Sequence, residues 1–314
     1  MIVVALAGGV GGAKLVHGLA TLLPRGNFSV IVNTGDDFIY WGLSISPDLD
    51  TVCYTLAGLA NPTTGWGQRD ETWNVLKTVK DLGGPDWFRI GDKDLATHVL
   101  RTEMQAQGEP LSAITHRLCL KWGIQHPIIP MSDDPVRTIV HTRGYGELGF
   151  QHYFVKYACE PVVEKFEFRG AEKATPAPRS LAHLSAADLV VLTPSNPWVS
   201  IDPILSIPGY REAIAKKVVI GVSPLVCGQA LKGPAAKMYR ELGIRPSAFA
   251  VASHYHDFLT GFIFDHKDAD ELENIQRYRI IPLLTDIIMK DEVDRVRFAE
   301  EVLKFGEAIL TRSH

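Results

Sequence analysis

No apolar stretch in these 314 residues approaches the roughly 18 needed to cross a bilayer. A membrane-spanning chain is therefore not expected, nor a membrane partner. The four cysteines, Cys53, Cys119, Cys159 and Cys227, are far apart in sequence and form no C-x-x-C pair, which speaks against a zinc site or a disulfide framework. A reducing, cytoplasmic setting fits them. Positive charge is not in excess: 32 Lys and Arg stand against 36 Asp and Glu, a formal net charge of -4. A surface for nucleic acid in general, or for an anionic membrane, needs a basic excess, so no nucleic-acid partner is expected and any phosphate is bound locally. The apolar N-terminal run lacks a basic n-region and a cleavage site and is interrupted at Gly8, so it reads as a first strand rather than a signal peptide. Internal repeats and low-complexity linkers are also absent.

With 46% hydrophobic and 22% charged residues, the composition is that of an ordinary globular protein, ample for one large α/β core. The most informative segment is Gly8-Gly9-Val10-Gly11-Gly12-Ala13-Lys14, which follows the apolar run Ile2 to Leu6 and opens a helix-like stretch from Lys14 to Leu23. A strand turning sharply into a helix leaves unpaired N–H groups at the positive end of the helix dipole, and glycines let an anion approach that backbone. Gly9, Gly11, Gly12 and Lys14 are thus candidates for holding a nucleotide or diphosphate. The segment is not a Walker A loop, because no Ser or Thr follows Lys14, and counted from Gly9 it lacks the last glycine of G-x-G-x-x-G.

The short β-rich run Ser29 to Val32 ends in Asn33-Thr34-Gly35-Asp36-Asp37, completing a βαβ order. Ligands in such sheets sit beyond the carboxyl ends of the strands, which puts Asn33 and Asp36 on the same rim as the glycine loop. An acidic group there can accept hydrogen bonds from a ribose, though paired aspartates also occur in plain turns. The chain then turns helical, with Asp50 to Leu59, Glu71 to Leu82, Asp92 to Gln107 and Leu111 to Trp122 as spaced apolar segments. A region from about Val136 to Phe168 suggests an antiparallel extension. Strands resume at Asp188 to Leu192, Lys217 to Ile220 and Ala248 to Ala252, and Glu292 to Leu310 reads as a final helix. The expected fold is a single α/β domain: a Rossmann-like, mostly parallel sheet flanked by helices, with a small helical subdomain and a β extension inserted. Its core spans about 1–60 and 180–314, the helical insertion about 60–125 and the β extension about 126–175.

Two later loops also look like phosphate sites. Thr193-Pro194-Ser195-Asn196-Pro197-Trp198 follows a strand and precedes a helix start at Ser200 or Asp202, so Ser195 and Asn196 can cap that helix or bind a ligand. The loop from Gly221 to Pro234 carries Ser223, Lys232 and Gly233, backbone donors plus a point charge suited to a diphosphate. Ser46-Pro47-Asp48-Leu49-Asp50-Thr51 places two aspartates at a helix start. One suffices for a cap, leaving Asp50 free to hold a divalent metal or take a proton from an attacking hydroxyl. Arg89 lies beside Trp87 and Phe88, suited to a substrate or a phosphate, and Asp92 to a helix cap. His254 and His256 would share one face of a strand, but no third metal ligand is evident.

Taken in order, the segments Ala7 to Lys14, Asn33 to Asp37, Ser46 to Thr51, Trp87 to Asp94, Pro194 to Pro197 and Ser223 through Pro234 resemble the motifs of the CofD-like 2-phospho-L-lactate transferase family of deazaflavin coenzyme F420 biosynthesis. The resemblance covers essentially the whole chain. It implies a homodimer and Mg2+-dependent transfer of a 2-phospho-L-lactyl group from lactyl-2-diphospho-5'-guanosine to the ribityl hydroxyl of 7,8-didemethyl-8-hydroxy-5-deazariboflavin (Fo), giving coenzyme F420-0 and GMP. It further implies that Asp50 and Arg89 serve the deazaflavin acceptor, with Asp50 also at the metal, while the glycine and Ser-Asn loops cradle guanosine diphosphate. Phospholactyl, phosphoenolpyruvyl and phosphoglyceryl donors differ by only a few atoms beside the same nucleotide, so the loop residues do not choose among them. The competing reading is a nucleotide-sugar-binding regulator of the bacterial gluconeogenesis-factor type, which shares a similar glycine loop but needs no deazaflavin site. Trp66, Trp73 and Trp87 favour the transferase, because a flat tricyclic ring benefits from aromatic surroundings. An NAD-dependent oxidoreductase is undermined by the non-standard glycine pattern.

Overall fold

The run Val3–Ala7 (β1) is buried along its whole length because both of its faces are covered. Val3, Ala5 and Ala7 enter one helical layer and Val4 and Leu6 the other, the period-2 alternation of a strand inside a two-sided core. Six more strands join it: β2 (Phe28–Val32), β3 (Ile128–Pro130), β4 (Leu189–Leu192), β5 (Val218–Val222), β6 (Gly261–Asp265) and β7 (Ile281–Thr285). Their order is β3-β2-β1-β4-β5-β6-β7, with every neighbouring pair parallel. This is an α/β fold with Rossmann-like strand order, described here for residues 1–312 from a computed structural model. The chain builds outward from β1 to β3, then starts again at β4 on the other side. A crevice opens where that direction reverses, between the ends of β1 and β4.

Helix α1 (Gly9–Leu22) packs on α2 (Pro47–Leu56) and on the last helix, Glu292–Arg312. The approach to the last helix is close at Gly18, where an added Cβ would lie 2.1 Å from the Arg295 carbonyl oxygen. Between β2 and β3 come α3 (Asn74–Asp81), α4 (Asp92–Ala106) and α5 (Leu111–Lys121), and before β4 comes an antiparallel sheet of Arg137–Arg143, Gly146–Gly149 and Val162–Arg169. Among the described residues no helix is long and apolar enough to cross a membrane.

Several expected boundaries move. The helix expected at Asp50 starts at Pro47, which takes the first helical turn where its missing N–H costs nothing. The one expected from Glu71 starts at Asn74, with Asp92 accepting from the Asn74 and Val75 N–H groups. Asp92 therefore does cap a helix, but α3 rather than its own. The expected strand Ala248 to Ala252 is a helix, Ala248–His254: Ser247 caps it by accepting from the Ala250 N–H, and three alanines favour the helical form. In its place β6 and β7 complete the sheet. Phe262 and Ile263 in β6 are fully buried. With the helix in place, His254 and His256 do not share a strand face. His254 pairs with Asp202 at 2.8 Å, and His256 sits in the following turn on the Ser253 carbonyl.

Candidate active site

Beyond the carboxyl ends of β1, β4 and β5 lies a cavity of about 780 Å³. Gly9, Gly11, Lys14, Asp36, Asp50, Arg89, Ser195, Asn196, Ser223, Lys232 and Gly233 all line it. Gly12 and Asn33 do not, and the reason is packing. A Cβ on Gly12 would meet Ser195 Oγ at 2.5 Å, so its bare backbone lets α1 close on the loop after β4. Gly11 serves the same approach, its added Cβ falling 2.6 Å from the Pro194 carbonyl oxygen.

The start of α1 already holds an anion from the protein itself. The Gly9 N–H, at φ +66°, donates to Asp48 Oδ1 at 2.7 Å, and the Gly8 N–H donates to Ser195 Oγ at 3.2 Å. Asn33 is fully buried and joins three loops: its amide nitrogen donates to Asp36 (3.2 Å), to Asp48 (2.9 Å) and to the Val199 carbonyl (3.0 Å). Asn33 is thus a cross-link behind the site rather than a nucleotide contact. Asp36 also accepts from the Gln151 amide at 2.6 Å. Ser195 and Ser223 turn inward, Ser195 Oγ donating to the Gly8 carbonyl and Ser223 Oγ to the Leu225 carbonyl, while Asn196 caps the following turn by accepting from the Trp198 N–H. The hydroxyls after β4 and β5 build the loops, and the cations lie at the cavity edge. Lys14 donates to the Met289 carbonyl and Lys232 to the Thr64 carbonyl at 3.0 Å, both at the cavity edge.

Asp50 is not free as expected. It is buried against the Arg101 guanidinium, which bonds both of its oxygens, one at 3.0 Å. Neither aspartate caps α2, because Asp48 reaches back to α1 and Asp50 across to α4. Burial works against the charge on Arg101, but the attraction and hydrogen bond of Asp50 prevail and its pKa is raised. Asp94 and His98 stand beside this pair, with a ligand atom from each of Asp50, Asp94 and His98 all within 4.8 Å of one another. Burial pushes Asp94 up, yet His98 and the Tyr54 hydroxyl at 2.7 Å together hold it below its usual value. The pattern Asp94, His98, Arg101 is one helix face at i, i+4, i+7, a signal present in the sequence that spacing alone could have found.

Around this cluster further buried carboxyl groups crowd together and resist ionisation. Asp36 is driven well above the usual carboxylate range by burial and then by its neighbours Asp48 and Asp37. Burial raises Asp37 to about 7, against the pull of Arg137 and Ser46, and raises Asp48 to about 6, against hydrogen bonds from Asn33, Gly9 and Ser200. One Asp37 oxygen is buried with no hydrogen-bond partner. The ligand atoms of Asp50, Asp94 and His98, gathered beside these carboxylates, are a donor set that fits a divalent cation such as Mg2+. Five aromatic side chains also line the cavity, Trp66, Trp87, Phe88, Phe150 and Phe154, and the Arg89 guanidinium stacks 4.5 Å over Trp73.

Residues 3–301 match the family model described as 2-phospho-L-lactate transferase CofD. The chain belongs to the CofD family. A Streptomyces griseus protein named phosphoenolpyruvate transferase is 42% identical to this CofD-family chain over 98% of it and 99% of the relative. One of the same name from Thermobifida fusca is 43% identical over 90% and 92%. A third, from Mycobacterium tuberculosis, is 42% identical over 81% and 83%. A crystal structure of a upf0052 family member from Bacillus halodurans shares the fold, with a TM-score of 0.62 over 96% of this chain and 98% of that one at 13% identity. The transferase class follows from the family and these relatives together.

Proposed function

We propose that this chain moves a phosphoenolpyruvyl group from a guanosine-diphosphate-linked donor to the terminal ribityl hydroxyl of Fo. What carries the reading is a single cavity lined by lysines, by buried carboxylates and by five aromatic side chains. A diphosphate suits the first, an alcohol under activation the second and a flat deazaflavin the third. The name shared by the curated relatives supports the phosphoenolpyruvyl donor, and the family description supports a phospholactyl donor as the second reading.

In the step itself, the hydroxyl oxygen bonds to the phosphorus that bears the three-carbon acid, and the bond from that phosphorus to the bridging oxygen breaks. The bridging oxygen leaves with GMP. The hydroxyl proton passes to a carboxylate, for which Asp48 is suited, since a pKa of about 6 leaves it ionised near neutrality yet basic enough to accept. Asp50, fixed by Arg101, orients the hydroxyl, and Lys14 and Lys232 offset charge on the diphosphate. A magnesium ion would be held by Asp50, Asp94 and His98 and would neutralise phosphate charge. Arg89 would contact the acceptor. The reading includes a homodimer, as the family resemblance implies.

The test is incubation with Fo, Mg2+ and each guanylated donor in turn, with mass detection of the product. The expected result is GMP plus Fo enlarged by the phosphoenolpyruvyl group. Product from the phospholactyl donor alone would establish the second reading. No product with any donor, together with tight UDP-sugar binding, would replace the transferase with a binding regulator.

A further inference from the structure

Two thiols that the transferase chemistry does not use meet inside the helical layer over the sheet. Cys53 in α2 and Cys119 in α5 stand 66 residues apart in sequence, and their sulfurs lie 3.7 Å from each other within one apolar core. Both are free thiols. Cys119, 5% exposed, sits in the last turn of α5 beside the exposed Leu120, whereas Cys53 is 2% exposed. The contact with Cys119, then burial, then the charge of Asp50 push the Cys53 thiol well above its ordinary value, with Arg101 pulling the other way. Cys53 therefore keeps its proton near neutrality and is a poor nucleophile or metal ligand on its own.

The pair sits where a movement reaches the carboxylates. Cys53 follows Asp50 by three residues on α2 and precedes Tyr54, whose hydroxyl donates to Asp94 at 2.7 Å. Cys119 belongs to α5, which packs on α4, and α4 carries Asp94, His98 and Arg101. The two sulfurs thus join the helix of Asp50 to the neighbour of the helix of Arg101. The other cysteines are placed differently: Cys159 rests on the Phe154 carbonyl at 3.9 Å, and Cys227 is exposed in the loop after β5.

We propose that Cys53 and Cys119 form a reversible redox switch, in which hydrogen peroxide converts the two thiols to a disulfide that displaces α2 and slows the transfer. The Cys119 sulfur, the more exposed of the two, bonds to one peroxide oxygen as the O–O bond breaks, giving a sulfenic acid and water. The Cys53 sulfur then bonds to the sulfenic sulfur, the S–O bond breaks, and a second water leaves with the Cys53 proton. Two thiols give up two electrons and two protons, and one peroxide becomes two waters. A disulfide holds its sulfurs about 2.0 Å apart, so the bond draws them together by about 1.7 Å from the 3.7 Å of the thiol form. A site whose groups must be placed to within less than that distance loses turnover when its helix moves. Because the pair is buried and Cys53 is protonated, oxidation is slow, and the switch answers sustained oxidation rather than a brief exposure. The slowed transfer rests on the transferase reading; the disulfide and the helix movement do not.

The experiment exposes the full chain to hydrogen peroxide, then unfolds and alkylates it and maps the peptides by mass. Hydrogen exchange and turnover of Fo are read on the same samples before and after dithiothreitol. Wild type, Cys119→Ala and Cys227→Ser are compared, with a thermal melt of each as a check on folding. In oxidised wild type the peptides of Cys53 and Cys119 are expected to be joined and lighter by two hydrogens, exchange in α2 to change, and kcat to fall by about 10- to 100-fold, all reversed by dithiothreitol. Cys227→Ser is expected to respond like wild type, and Cys119→Ala to keep its turnover and its α2 exchange under peroxide. Cys53 and Cys119 both found alkylated after prolonged oxidation overturn the proposal. A mapped disulfide with unaltered exchange in α2 also overturns it, as does a peroxide sensitivity that disappears in Cys227→Ser. A disulfide that shifts α2 exchange in a protein with no turnover on any donor sustains the redox pairing and counts against the transferase reading alone.

Discussion

Replacing Asp37 with Asn removes one charge from the buried carboxylate cluster and leaves its shape almost unchanged. The Asp37 Oδ2 accepts from the Ser46 hydroxyl at 2.7 Å, and an amide oxygen can take that same bond. In the folded protein burial raises this carboxyl to about 7, from an ordinary value of 3.8. A raised carboxyl binds its proton more tightly in the folded state, so it opposes folding at high pH, and that opposition fades as pH falls from above 7 toward 4. A shift of about three units corresponds to about 4 kcal/mol between the limits, of which about 2.6 kcal/mol is recovered between pH 8 and pH 5. Other groups titrate in the same window with the opposite sign. His17, His152 and His183 are held below their usual value chiefly by burial, so the unfolded chain takes up their protons first as pH drops through 6.5. The difference between wild type and Asp37→Asn cancels them. Urea unfolding of both proteins at several pH values is the assay. The variant is expected to be the more stable at pH 8, and its advantage to shrink by about 2–3 kcal/mol on going to pH 5. A stability difference that stays constant across pH would refute the claim that Asp37 is a strained buried carboxylate.

Asp50→Asn leaves Arg101 buried without its counter-charge, so a loss of about 3 kcal/mol in unfolding free energy is expected, together with a fall in kcat of about 100-fold measured where the variant remains folded. Asn33→Ala strips hydrogen bonds from two buried aspartates and the Val199 carbonyl, which is expected to cost about 2 kcal/mol in chemical denaturation and to lower kcat. For Gly11→Ala the added methyl meets the Pro194 carbonyl, and a destabilisation of about 1–3 kcal/mol with a raised KM for the guanylated donor is expected in melts and steady-state assays. Trp66→Ala is expected to raise KM for Fo about tenfold by fluorescence or kinetics without altering the melt, because Trp66 is 42% exposed.

The route from sequence to site was clear where local chemistry is decisive. Glycines between an apolar strand and a helix announce a crevice whatever lies beyond, and three such loops meet at one sheet edge. Long helices with clear punctuation, such as Asp92–Ala106 and Leu111–Lys121, fall within a residue of their expected ends. Ala248 to Ala252 misled because a short apolar run satisfies strand and helix alike, and the cap at Ser247 decided the matter. The role of Asp50 was hidden because its partner Arg101 lies 51 residues away, and a helix-start aspartate looks the same whether or not such a partner exists. Asn33 was hidden for the same reason: beyond Asp36 in its own loop, its acceptors are Asp48 in α2 and the Val199 carbonyl, which only the folded sheet brings within reach.

That amide stitch also constrains how the protein can be made. Asn33 reaches forward to the carbonyl of Val199, 166 residues further along. The floor beneath the carboxylates therefore stays open on the ribosome until roughly two-thirds of the chain has been synthesised and β4 has docked beside β1. A nascent chain halted before Val199 can already tie the glycine turn to Asp48 through the Gly9 N–H, yet it lacks the loop after β4 that closes the floor. The last wall of the cavity is consequently laid late in translation, after the glycine turn and the start of α2 are already joined.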